Sequence, residues 1–169
     1  MALREIIKLP HPTLKRKAHK VSEFNQEFQQ LVDDMVDTMR AEPGVGLAAP
    51  QVNQSLRLIV VEYPEDDAVE DSDPRLFVVA NPEFSYMSKE TVKGIEGCLS
   101  VPNLLGEVER SQEVTVTGKD RKGKKIEIKA AGWLARIFQH EIDHLNGILY
   151  VDRAEVLYQP DEVTPEERV

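Results

Sequence analysis

The chain of 169 residues holds one cysteine, one tryptophan and four histidines. A single thiol excludes an internal disulfide. Cys98 is then a buried small hydrophobe, a nucleophile or a metal ligand, and composition leaves all three open. No apolar run approaches the roughly 20 residues that a membrane-spanning helix needs, so no membrane partner is expected. Basic residues are also scarce, 21 against 30 acidic ones, for a net charge of −9. Such a field repels nucleic acid and anionic lipid at long range, and neither is expected as a direct partner. The start, Met1-Ala2-Leu3-Arg4-Glu5, has neither the apolar length of a secretory signal nor the Arg- and Ser-rich character of a transit peptide, which points to the cytoplasm. What remains is ordinary for a globular protein. Hydrophobic residues make up 41% and charged ones 30%, in one domain long enough to bury a core unaided, with no internal repeat.

Leu3 to Val21 is broken by Pro10 and Pro12 and reads as an extended arm with a short strand at Ile6-Ile7. Phe28, Leu31, Val32, Met35, Val36 and Met39 recur at helical spacing, capped by Ser22 or Asn25 and stopped at Pro43-Gly44. Met35 and Met39 on that stripe are core packing. The glycines of Gly44-Val45-Gly46-Leu47-Ala48-Ala49-Pro50-Gln51 permit close approach of another backbone, and no Gly-Lys-Ser/Thr ending makes them a phosphate loop. Leu56 to Val61 and Leu76 to Ala80 read as strands, the second ending at Asn81-Pro82. Between them, Glu62 to Asp73 carries acids and no base, without the glycine of a calcium loop, and reads as a solvated loop. Val114 to Val116 and Ile126 to Ile128 form a hairpin with a polar tip, and a last helix runs from about Ala130 to Leu145, where Asn146-Gly147 ends it. Residues 1–153 are expected to form one domain and 154–169 an acidic, flexible tail.

Gln139-His140-Glu141-Ile142-Asp143-His144 lies on that last helix. Histidines four apart project from one side of a helix, where two imidazoles can hold a divalent ion while the carboxylate of Glu141 takes a proton from its water. A helix with two unengaged histidines is the bland alternative. A third ligand is missing locally, because positions 148–169 contain no histidine and their acids follow a glycine turn. Cys98, in the Gly-rich stretch Glu96-Gly97-Cys98-Leu99-Ser100, is the stronger candidate. One thiolate and two imidazoles leave a fourth tetrahedral position open, as in a catalytic site, and by ligand chemistry favour zinc. Asp143 can support the site by pairing with Arg110, or be an exposed helical acid.

Taken together, the stretches 44–51, 96–100 and 139–144 resemble the three signature motifs of the peptide deformylase family, in that family's order. The likeness extends to the N-terminal arm and to Gly147-Ile148-Leu149-Tyr150-Val151-Asp152. The resemblance implies a hydrolase that removes the formyl group from the N-terminal formylmethionine of new proteins, releasing formate. It implies an α+β fold in which antiparallel strands surround a central metal-bearing C-terminal helix, with one further amphipathic N-terminal helix. It also implies one Fe(2+) per chain on Cys98, His140 and His144, replaceable by zinc, nickel or cobalt. Glu141 becomes the proton carrier, and the Gln51 amide and the backbone N–H of Leu99 stabilise the oxyanion. Read without the resemblance, Gln51 ties down its loop and Leu99 buries its side chain.

The implied partners are N-formylmethionyl nascent polypeptides at the ribosome, although the acidic segment after Arg153 does not support a basic helix docking there. Val45, Gly46 and Gly97 correspond to substrate-binding positions, with the backbones of Val45 and Gly97 pairing with the substrate as an added strand. Trp133 and Ile137 share the histidine stripe and are expected, with Val45, to border a methionine pocket. Asn103-Leu104-Leu105 departs from family members that carry an arginine or two tyrosines there, so contacts beyond methionine differ. A zinc endopeptidase would need a third ligand other than Cys98. A non-catalytic peptide binder would usually have lost Glu141 or a ligand.

Overall fold

The computed structural model describes residues 2–65 and 73–162. The first regular helix, α1 (Gln26–Ala41), starts where Asn25 Oδ1 accepts a hydrogen bond from Phe28 N at 3.0 Å, and its apolar stripe is buried as the period requires. Five antiparallel strands form one sheet: β1 (Gly46–Ala48), β2 (Leu58–Tyr63), β3 (Arg75–Met87), β6 (Glu113–Lys119) and β7 (Lys125–Ala131), in the order β1-β2-β3-β6-β7. Three more, β4 (Thr91–Cys98), β5 (Val101–Ser111) and β8 (Val156–Tyr158), make a second sheet in the order β4-β5-β8. Two further helices are α2 (Gly132–Leu145) and α3 (Tyr150–Arg153).

β2 explains the layering. Ile59 and Val61 pack with Phe138, Ile142 and Leu145 of α2, whereas Leu58 and Val60 pack with Leu31, Met35 and Met39 of α1. Side chains alternate along a strand, so one buried run covers both faces of the sheet. α2 buries 11 of its 14 residues, more than one sheet face can cover, and its other side meets the β4–β5 hairpin. Antiparallel sheets with helices packed on them form a mixed α and β architecture, as expected. Among the described residues no helix is long and apolar enough to cross a membrane.

Three expectations change. β3 does not end at Asn81-Pro82: Asn81 adopts φ 52, exchanges hydrogen bonds with Val21 N and O through its side chain, and lets the strand resume after a bulge between Ala80 and Glu83. Ile6-Ile7 forms no strand. The arm instead donates from Ile7 N to Gln51 O at 2.8 Å and from Leu9 N to Ser100 O at 3.0 Å. Past Arg153 the chain still packs, because β8 pairs with β5 through Leu105↔Tyr158 before the turn Pro160–Glu162. The remainder of the tail, 163–169, and most of the acidic stretch, 66–72, lie outside the described residues.

Candidate metal centre

α2 begins at Gly132, whose φ of 63 redirects the chain out of β7, and carries His140, Glu141 and His144 toward the β4–β5 turn. Cys98 ends β4 and faces Val101 across that tight turn. The ligand atoms of Cys98, His140 and His144 all lie within 4.8 Å of one another, with Cys98 Sγ 3.4 Å from His144 Nε2. Among the described residues this is the one such cluster of three or more potential ligands.

His140 is oriented for a cation, whereas His144 Nδ1 is buried with no hydrogen-bond partner among the described residues. His140 Nδ1 lies 2.8 Å from Glu96 Oε1. Burial opposes ionisation of Glu96, but bonds from Arg110 and His140 outweigh it and hold its carboxyl well below the usual carboxylate range. An ionised carboxylate only accepts, so Nδ1 carries a proton toward Glu96, and Nε2 is the nitrogen left to face the centre. Burial likewise opposes charge on His140, yet bonds to Cys98 and Glu96 and the nearby Glu141 carboxylate raise its pKa well above the ordinary value. The field at this point thus favours a positive species. His144 is held neutral, first by burial and then by repulsion from His140 and Arg110. These observations fit a divalent ion among one sulfur and two nitrogens.

Glu141 is buried beside these candidate ligands, and its Oε1 has no hydrogen-bond partner among the described residues. Burial, with repulsion from Glu96, pushes its carboxyl up to about 7 against the opposing pull of His140 and Arg110. A β-carbon built on Gly46 would stand 2.6 Å from Glu141 Oε2, so glycine is what lets β1 lie against this carboxylate. Gln51 is fixed by a bond from Ala48 N to its Oε1 at 3.0 Å, which turns Nε2 toward Cys98 Sγ at 3.4 Å and Ser100 Oγ at 3.2 Å.

The centre opens into a cleft of about 390 Å³. Val45, Gly46, Gln51, Gly97, Leu99 and Ile137 all line it, together with Cys98, His140 and Glu141. Two of its borders are β1 and β4, each an edge strand of its sheet among the described residues. Val45 O accepts from Glu62 N at 2.9 Å, which turns that carbonyl into the sheet. By alternation the Gly46 backbone faces the open edge. Trp133 is not among the lining residues, and the Arg136 guanidinium lies over its ring, 5.2 Å from the centroid.

Several supporting residues escaped the sequence reading. Glu96 was visible only as part of a motif, yet it joins His140 to Arg110 and Arg136. Arg110 in turn reaches Asp143 at 2.6 Å, the pairing that the sequence suggested. Tyr150 stacks on His140 with centroids 5.9 Å apart and donates from its hydroxyl to Leu104 O. Arg136 looks like an ordinary helix residue in the sequence, and Tyr150 stands out there only as part of the stretch Gly147-Ile148-Leu149-Tyr150-Val151-Asp152.

Comparison with known proteins agrees with this geometry. The family model described as polypeptide deformylase matches residues 3–159. A peptide deformylase of Symbiobacterium thermophilum is 50% identical over 99% of this chain and 74% of its own length. That of Thermomicrobium roseum is 47% identical over 96% and 94%. Among solved structures, the peptide deformylase of Ehrlichia chaffeensis in complex with actinonin superposes with a TM-score of 0.85 at 38% identity, over 92% of this chain and 90% of that one. A class I type b peptide deformylase from Acinetobacter baumannii with Met-Ala-Ser bound gives 0.82 at 41%, over 89% and 98%.

Proposed function

Because the chain belongs to the polypeptide deformylase family, and so is a hydrolase that removes the N-formyl group from nascent peptides, we propose that one domain carries the reaction on Cys98, His140, His144, Glu141, Gln51 and Leu99. The family is one of metalloenzymes, and the three donors within 4.8 Å would hold the ion. We assign Fe(2+), one per chain, with zinc, nickel or cobalt as substitutes. The ion supplies Lewis acidity, polarising the formyl carbonyl and lowering the pKa of the attacking water.

Everything else falls to the protein. Glu141, buried and with Oε1 unpartnered, accepts the proton of the attacking water and passes it to the departing amine, which must leave protonated. Gln51 Nε2, locked in orientation by Ala48 N, and the backbone N–H of Leu99 face the oxygen on which charge develops. Each such donor contributes on the order of 3 kcal/mol to the transition state. The open edges of β1 and β4 receive the substrate main chain near Gly46 and Gly97, as an added strand would. Val45, Leu99 and Ile137 give the cleft an apolar floor for an unbranched thioether side chain. The Acinetobacter relative with Met-Ala-Ser bound supports that occupant. The substrates are N-formylmethionyl nascent chains met at the ribosome in the cytoplasm. The net charge of −9 argues against direct contact with nucleic acid.

The observation that carries this reading is the meeting of three potential metal donors and a buried carboxylate, whose Oε1 has no partner among the described residues, at a cleft between two strand edges. Glu141→Gln should retain the metal and lose formate release from formyl-Met-Ala-Ser. Full activity in that variant would sink the assignment. An endopeptidase would need a ligand set without Cys98, and Cys98→Ala should lose the metal.

A further inference from the structure

Arg136 sits on α2 one turn before His140 and is almost wholly buried, at 3% exposure. Its guanidinium makes three contacts with the β4–β5 hairpin: Nη1 donates to Glu96 Oε2 at 2.6 Å and to Val108 O at 2.9 Å, and Nη2 donates to Val92 O at 2.6 Å. Val92 and Glu96 belong to β4 and Val108 to β5, so one side chain spans both strands of the hairpin that ends in Cys98. Space for it is provided. A β-carbon on Gly94 would stand 2.8 Å from Arg136 Cζ, and the Trp133 ring covers the guanidinium on another side.

The two oxygens of Glu96 are evenly loaded. Oε1 accepts from Arg110 Nη2 at 2.8 Å and faces His140 Nδ1, while Oε2 accepts from Arg110 Nε at 2.9 Å and from Arg136 Nη1. Arg110 alone cannot serve Glu96 fully, since its Nη1 is committed to Asp143. Removing Arg136 would leave Oε2 with one donor and leave Arg110, on β5 of the same hairpin, as the sole arginine holding Oε1 toward His140. Buried ion pairs add little net stability compared with apolar packing, so stability is a poor explanation for this one.

We propose that Arg136 is a positioning residue of the metal centre, tying the hairpin that carries Cys98 to the helix that carries His140 and His144 and holding Glu96 so that Oε1 faces His140 Nδ1. This rests on the assignment of Cys98, His140 and His144 as metal ligands. Metal–ligand distances tolerate only about 0.2 Å, so a slack hairpin or a turned carboxylate is felt as weaker binding.

The test measures zinc affinity by chelator competition and the visible spectrum of the cobalt-loaded protein, for the wild type, Arg136→Met, Arg136→Lys, Glu96→Gln and the double variant Arg136→Met/Glu96→Gln. Wild-type protein that binds neither ion would overturn the ligand assignment itself. Given wild-type binding, Arg136→Met should weaken zinc roughly tenfold, the low end for groups that orient a ligand, and shift the cobalt bands. Arg136→Lys, which keeps the charge, should recover part of the loss. The double variant should be little worse than Glu96→Gln, because the effect passes through Glu96. Affinity within twofold of wild type with an unchanged cobalt spectrum, or losses that simply add, would overturn the proposal. Should Arg136→Met fail to fold, Gly94→Ala displaces the guanidinium without removing it. Several-fold weaker zinc binding there supports the role, and unchanged binding refutes it.

Discussion

Gly46→Ala separates the demands of the site from those of the fold. Gly46 lies in β1 paired with Val61, and its φ lies outside the left-handed range that favours glycine, so alanine suits the backbone. Gly→Ala at such a position commonly stabilises by about 0.4–1 kcal/mol, by restricting the unfolded chain. The added methyl, however, would stand 2.6 Å from Glu141 Oε2 and 2.9 Å from its Cγ. An ordinary contact needs 3.4 Å or more, so the carboxylate must retreat by most of an ångström. Misplacement on that scale costs about 10²-fold in rate, equivalent to about 2.7 kcal/mol of barrier. Glu141 is a terminal carboxylate and can give way, so the metal ligands should stay in place. The expected result is formate release from formyl-Met-Ala-Ser reduced about a hundredfold in kcat/KM, with metal content unchanged and Tm equal to or slightly above that of the wild type. Activity within a factor of three of wild type would show that Glu141 is not where it acts, or does not act. A large drop in Tm would show that the contact is resolved by moving β1 instead.

Other perturbations probe the frame. Gly147 has φ 74 and a β-carbon there would stand 2.6 Å from Lys15 O, a backbone atom, so Gly147→Ala should cost about 2–3 kcal/mol and lower Tm by roughly 4–10 °C in thermal unfolding. Phe138 is fully buried and meets Phe77 edge-on at 5.4 Å, and Phe138→Ala should destabilise by about 3–5 kcal/mol in urea titration. Asp34 anchors the N-terminal arm. Burial opposes its ionisation, but bonds from Ala2 N, Gln30 and Arg4 prevail and hold its carboxyl below the ordinary 3.8. A depressed folded-state pKa gives stability that is present above the unfolded value and is lost as pH falls through the folded one. The stability gap between wild type and Asp34→Asn should therefore be constant near neutrality and shrink below about pH 4; a gap independent of pH down to 2 would refute the ionised anchor.

Much of this could be read from the chain because the informative residues obey short-range rules. His140 and His144 share a helix face by spacing alone, Asn25 caps α1, and the stripe from Phe28 to Met39 is buried. The β4–β5 hairpin was harder to foresee. Apolar alternation normally betrays a half-buried strand, but the inward positions here include Glu96 and Arg110, at 1% and 4% exposure, whose charges are satisfied only by each other and by α2. β8 was missed for a related reason: it is three residues long with an exposed Val156 and Leu157, and it exists because β5 offers an edge. Trp133 shares the helical phase of the histidines, yet its ring is engaged by the Arg136 guanidinium, a contact between neighbouring helix residues that the spacing does not reveal.

The placement of the glycines then explains why catalysis and folding can be tuned apart. Gly46 and Gly94 each clear room for one buried side chain, Glu141 and Arg136, to which roles at the centre are proposed, whereas Gly147 answers to the backbone of Lys15. The first two lie in strands with φ values any residue can adopt, so there glycine is a steric requirement of the site alone. At Gly147 the φ of 74 makes it a requirement of the chain reversal that brings Tyr150 back beneath His140. Alanine at 46 or 94 should therefore affect rate or metal affinity with little loss of stability, and alanine at 147 should do the reverse until the fold itself fails.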